Sequence, residues 1–296
     1  MNKLIILLII IVLPTMSFAN VIHKERSLYR NIIVDDSYNL RCLKFNVKSS
    51  KTNQSCLYKD DPQKLVFNYT KLLFSSLLLF EKAPQKILII GLGGGTMSNT
   101  LHQLYPQAMI ENVEIDPAVI KVARDYFGFF ENDNVTSKVQ DGRIFVKRAA
   151  MKKQTYDWII LDAFNGDYIP EHLLTKEFLQ ETQSLLSKNG VLAANTFSVS
   201  DLYAHESATY KAVFGDFFNV RNSKNSNRII LVSNTDLPSG KVIVDRVNKI
   251  SHRLSAYGID IAKISTEMTS TAEEQDWPDD TVLLTDQFSP ANLLNQ

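Results

Sequence analysis

The segment that most restricts this chain is Lys86-Ile87-Leu88-Ile89-Ile90-Gly91-Leu92-Gly93-Gly94-Gly95-Thr96. Its unbroken apolar run reads as a strand buried on both faces. The glycines after it let the backbone bend sharply and approach a ligand with no Cβ in the way. Helical apolar spacing follows over 97–105. A strand, a glycine turn and a helix start with free N–H groups together open a nucleotide-type site. The alternation then continues. Strands are expected over 87–90, 110–113, 135–139, 158–161, 191–196, 217–220 and 229–232, and helices over 97–105, 118–126, 142–150, 176–186 and 201–214. Apolar strands interleaved with amphipathic helices predict an α/β, Rossmann-like sheet, mostly parallel and covered on both faces. The last two strands, joined by a short polar turn from Asn222 to Asn227, predict an antiparallel hairpin that closes a seven-stranded sheet.

This nucleoside-binding region spans 84–235. Ahead of it, residues 20–83 read as a small N-terminal β domain. It is a β-meander built from runs such as Asn31-Ile32-Ile33-Val34 and Leu40-Arg41-Cys42-Leu43-Lys44-Phe45, then a connecting helix from Pro62 to Phe80. Residues 236–296 read as a helix over 242–257 and an irregular tail. Residues 1–19 have the layout of a secretory signal peptide: Lys3, an apolar run over 4–13, and small Ser17 and Ala19 before a cut after Ala19. That run is well short of the roughly 20 residues that span a membrane. The expectation is an exported protein, periplasmic or secreted, with no membrane attachment after cleavage; an uncleaved anchor is the alternative. In an oxidising compartment Cys42 and Cys56 form either a disulfide or two buried thiols.

Composition excludes several classes. With 32 basic and 32 acidic residues the chain is neutral, which argues against nucleic acid as a partner. Two cysteines, and five histidines (His23, His102, His172, His205, His252) with no ligand-spaced pair, give no metal centre. No Gly-x-Ser-x-Gly occurs, which excludes a serine hydrolase of that type.

Three acids stand at strand ends. Glu114 lies about 20 residues past the glycine turn, where an acid can hold both ribose hydroxyls. Asp141, after the third strand, can accept from an adenine amino group. Asp162 leaves the apolar strand Trp158-Ile159-Ile160-Leu161 at the mouth of the same crevice, followed by a polar loop with Asp167, Glu171 and His172. Asp116 and Asp141 also suit helix capping, as do Glu171 and His172.

The chain resembles the spermidine synthase (polyamine aminopropyltransferase) family over about residues 28–235, on the sheet shared with S-adenosylmethionine-dependent methyltransferases. Gly91-Leu92-Gly93-Gly94-Gly95 is similar to that family's nucleoside loop, Val113-Glu114-Ile115-Asp116 to its ribose-binding motif, and Asp141-Gly142 to its adenine-contacting pair. Asp162-Ala163-Phe164-Asn165 stands at its Asp-x-x-Asp catalytic loop. Gln54 and Tyr69 resemble its gatekeeping Gln and Tyr. The stretch from Asp162 to Thr175, with Leu284-Thr285-Asp286, looks most like synthase-like proteins often fused to transporters. The resemblance implies decarboxylated S-adenosylmethionine or S-adenosylmethionine as donor, no metal, a small-molecule amine as acceptor, and a homodimer or larger oligomer. Asp162 is then the base or cation anchor, with Asn165 and Asp167 beside it. Two departures stand out. Gly94 occupies the position of an acid that grips the donor's amine, and Asn165 that of the second catalytic acid, with Asp167 as a substitute. These departures keep two alternatives open: a methyltransferase, and a catalytically inactive exported protein that binds nucleosides or polyamines.

Overall fold

The computed structural model describes residues 20–45, 53–164, 168–197, 201–221 and 227–290. The expected signal segment, Asn165 and Asp167 lie outside the described residues, as does the expected turn over 222–226. Strands β1 (Asn20–Arg26), β2 (Asn31–Ser37), β3 (Leu40–Phe45) and β4 (Asn53–Tyr58) pair antiparallel in chain order. Cys42 stands opposite Cys56 across β3 and β4, with their Cα atoms 4.1 Å apart, and the two are joined as a disulfide.

The helix expected from Pro62 is shorter. Leu65 fits the helical spacing, but its N–H donates to the Tyr257 carbonyl and its backbone bridges to Leu57. Helix α1 therefore begins late (Asn68–Leu73) and tightens into a 3-10 segment, Phe74–Leu79. There the hydroxyls of Ser75 and Ser76 donate back to the carbonyls of Leu72 and Leu73, the local bonding by which serine competes with a regular helix.

The large sheet and its helices follow in order: β5 (Lys86–Ile90), α2 (Thr96–Leu104), β6 (Met109–Glu114), α3 (Pro117–Phe127), β7 (Val135–Val139), α4 (Gly142–Met151), β8 (Tyr156–Leu161), α5 (Lys176–Gln183), β9 (Leu186–Phe197), α6 (Leu202–Phe214), β10 (Phe218–Arg221), β11 (Asn227–Ser233), α7 (Gly240–Ser255), α8 (Ile261–Ser265) and β12 (Met268–Ser270). The strand order is β12-β10-β11-β9-β8-β5-β6-β7. Strands β9, β8, β5, β6 and β7 run parallel, and β11 lies antiparallel between β9 and β10. The parallel α/β sheet and its antiparallel closing hairpin are as expected; the tail adds an eighth, short strand at the edge.

Strand alternation divides the core. Ile87, Ile89, Trp158, Ile160, Val191 and Ala193 face α1, α2 and α7, while Leu88, Ile90, Ile159, Leu161, Leu192 and Ala194 face α4, α5 and α6. Helix α3 also packs Val119, Val122 and Phe127 on Ile32, Val34, Leu43 and Phe45 of the small sheet. That contact brings the end of β3 and the start of β4 over the carboxyl ends of β5 and β6.

Candidate functional site

The carboxyl ends of β5, β6 and β8 open onto a cleft of about 860 Å³ roofed by the small sheet. Gly91 begins its floor at φ +98°, and a Cβ there would lie 2.3 Å from the Asp162 carbonyl oxygen. Only glycine permits the strand to turn so close to its neighbour. Gly93, Thr96 and Met97 continue the wall, whereas Gly94 and Gly95 lie behind it. At Gly94 a Cβ would meet Ser55 Oγ at 2.6 Å and the Phe127 ring at 3.1 Å. Serine and phenylalanine thus fill the space in which an acidic side chain would sit.

Glu114 ends β6 inside the cleft, nearly buried. Its Oε2 accepts from the Leu92 N–H at 3.1 Å and its Oε1 from the Asp116 N–H at 3.0 Å. Burial raises the Glu114 carboxyl above its ordinary value, against those two backbone bonds and the positive charge of Arg30. Each oxygen keeps a lone pair for a ribose hydroxyl.

Asp116 has a different place from the one its motif implies. It is fully buried and off the cleft wall. One oxygen caps α3 through the Ala118 N–H at 3.0 Å, and the other accepts from Ser27 Oγ at 2.5 Å and faces Arg30 Nε at 3.8 Å. It ties α3 to the small sheet and does not reach the ligand space. Asp141 and Gly142 do line the cleft. Asp141 caps α4 through the Ile144 N–H, and its second oxygen lies 3.0 Å from His172 Nε2.

At the opposite end stands Asp162. Its carboxyl faces the cleft, but protein crowds it on every other side, and this desolvation raises it to about 7. Hydrogen bonds from Asn195, at 2.8 Å, and from the buried Tyr69 hydroxyl oppose the rise. Gln54 and Tyr69 line the same space. The structure therefore gathers Gly91, Gly93, Glu114, Asp141, Gly142, Asp162, Gln54 and Tyr69 around one cleft.

Three contributors were not read from the sequence. Arg30 packs its guanidinium over Phe45, 4.3 Å from the ring centre, and donates to the Phe164 carbonyl. A lone arginine before a strand carries no signal. Asn195 and Asn227 carry a weak one: each is an amide in an apolar strand, and a buried amide requires partners. His172 reads as a cap yet turns to Asp141. The chain's end also reaches the rim. Asp286 pairs with Arg143, which donates to the His172 carbonyl and to Thr175 Oγ1.

This geometry has known counterparts. The family model described as the spermine/spermidine synthase domain matches residues 66–222. A polyamine aminopropyltransferase of Vibrio vulnificus is 46% identical over 278 residues, covering 93% of this chain and 92% of that one. An eEF1A lysine and N-terminal methyltransferase of Bos taurus is 34% identical over 146 residues, 46% of this chain and 21% of that one. The crystal structure of a probable spermidine synthase from Corynebacterium glutamicum superposes with a TM-score of 0.67 at 23% identity, covering 88% of this chain and 96% of that one.

Proposed function

The chain belongs to the spermine/spermidine synthase family, and we propose that it transfers an aminopropyl group from decarboxylated S-adenosylmethionine to a small amine. One observation carries the reading at the site. Glu114 and Asp162 end the two strands that flank β5 and face one cleft, roughly 10 Å apart by strand spacing. A nucleoside held at its ribose by Glu114 and at its adenine by Asp141 extends its sulfonium arm toward Asp162.

The acceptor arrives as an ammonium, with a pKa near 10 like that of lysine. Tyr69 and Asp162 meet the cation, and the carboxylate takes a proton from it. The freed lone pair attacks the methylene carbon beside the sulfonium, the carbon–sulfur bond breaks, and neutral 5′-methylthioadenosine leaves. Holding both partners in line supplies much of the acceleration. The test is the mature chain with decarboxylated S-adenosylmethionine and a panel of amines. Release of methylthioadenosine is expected, and its absence with every amine overturns the reading. Glu114→Ala should weaken methylthioadenosine binding roughly 10- to 100-fold in a calorimetric titration, the loss of a charged hydrogen bond.

A methyltransferase is the second reading. The acid-free loop at Gly94 and the similarity to the Bos taurus methyltransferase favour it. It requires S-adenosylhomocysteine, and not methylthioadenosine, as the product. Export is also proposed, supported by the apolar segment over 4–13 and by the Cys42–Cys56 disulfide, which suits an oxidising compartment.

A further inference from the structure

One oxygen of Asp162 is already taken. Asn195, near the end of β9, donates from Nδ2 to Asp162 Oδ1 at 2.8 Å. Asn227, at the start of β11, donates from Nδ2 to Asn195 Oδ1 at 3.0 Å. The three side chains form a line across neighbouring strands. Leu161 pairs with Ala194 in β8–β9, and Asn227 pairs with Phe197 in β9–β11, so Asn195 comes between the two polar ends. Asn195 is 4% exposed, and a buried amide is held by its hydrogen bonds.

An amide has polarity. While Asn227 donates into its oxygen, Asn195 presents N–H to Asp162. The opposite polarity turns Asn195 Oδ1 toward Asp162, which only a protonated acid tolerates. We propose that Asn227 is a positioning residue: through Asn195 it reserves Oδ1 of Asp162 as an acceptor and directs proton exchange with the amine to Oδ2. The inference rests on Asp162 as the carboxylate that meets the amine. Tyr69 reaches that carboxylate from α1. Among the described residues, the other titratable or charged groups around the cleft are Tyr29 and Arg30 before β2, Glu114 on β6, Asp141 before α4, and Tyr168, Glu171 and His172 after β8.

Three substitutions test it. Asn227→Leu removes the donor without adding charge. Asn227→Asp keeps the size but only accepts, which turns Asn195 over. Asn227→Gln keeps a donor. The readout is the titration of the Asp162 carboxyl carbon by NMR, which needs no turnover. Asn227→Leu and Asn227→Asp should raise its midpoint by about one pH unit, while Asn227→Gln stays near wild type. The acid limb of kcat/KM for methylthioadenosine release should shift with it, a roughly tenfold loss per unit, while methylthioadenosine affinity holds. Superimposed titrations of wild type, Leu and Asp variants overturn the proposal. A shift in the Asp variant alone overturns it too, because that is added charge and not polarity. Equal shifts in the Leu and Gln variants also overturn it. Should Asn227→Leu fail to fold, Asn227→Ala takes its place, since it removes the same donor without adding charge: a shift in the Ala and Asp variants that Gln lacks supports the proposal, and any other pattern overturns it. A wild type that titrates as described but releases no methylthioadenosine sinks the transferase reading, and with it the proton exchange with the amine, and leaves the hold of Asn227 on Asp162 through Asn195 standing.

Discussion

Burial works against the charge of Asp162, and that conflict has a thermodynamic consequence. Its folded pKa of about 7 lies above the ordinary value of 3.8. The stability it contributes is therefore complete below about pH 4 and falls away as pH rises toward 7, where the unfolded chain has released the proton and the folded one has not. Asp162→Asn should accordingly gain stability over wild type across that window, by on the order of 2 to 4 kcal/mol, read from urea unfolding at several pH values. Glu206, raised to about 7 by burial despite its pairing with Arg228, titrates in the same window. It is present in both proteins and cancels in the comparison. The same variant should lose roughly 100-fold or more in kcat/KM, the scale of a positioned acid–base group. At Gly94 the expectation is steric. Gly94→Asp drives its Cβ against Ser55 and the Phe127 ring, at a cost of about 1 to 3 kcal/mol from overpacking. Adding Ser55→Gly should recover part of the lost melting temperature, whereas an unchanged midpoint for the single variant removes the argument.

Among the elements, β3 and β4 carry the covalent link closest to the cleft. Ser55, beside Cys56, touches the glycine loop, and Asn53 and Gln54 line the ligand space. Replacing both cysteines by serine should cost about 3 kcal/mol, as expected for a closed loop of this size, and should raise KM for the nucleoside. Thermal unfolding and donor kinetics with and without reductant check both. Strands β5 and β8 were legible because burial on both faces leaves a continuous apolar run. Strand β12 was not, since three half-buried residues show no period. The start of α1 was misread for a related reason: Leu65 falls on the helical spacing while its backbone is bonded to Tyr257. Glu114, Asp141 and Asp162 were legible because strand ends locate them. Asn227 and Arg30 were not, because their partners are remote in sequence and only the fold brings them together.

On the scale of the whole molecule, the export proposal predicts that the protein recovered outside the cytoplasm begins at Asn20. N-terminal sequencing of fractionated cells checks this, and a full-length form retained with the cytoplasmic fraction counts against it. The two ends of the described chain meet at one rim. Tyr29 and Arg30 wall the cleft from its beginning, and Asp286, through Arg143, holds the segment carrying His172 from its end. A chain cut before Asp286 therefore keeps the central sheet but loses the clasp on the segment that carries His172, so the rim loosens while the core holds.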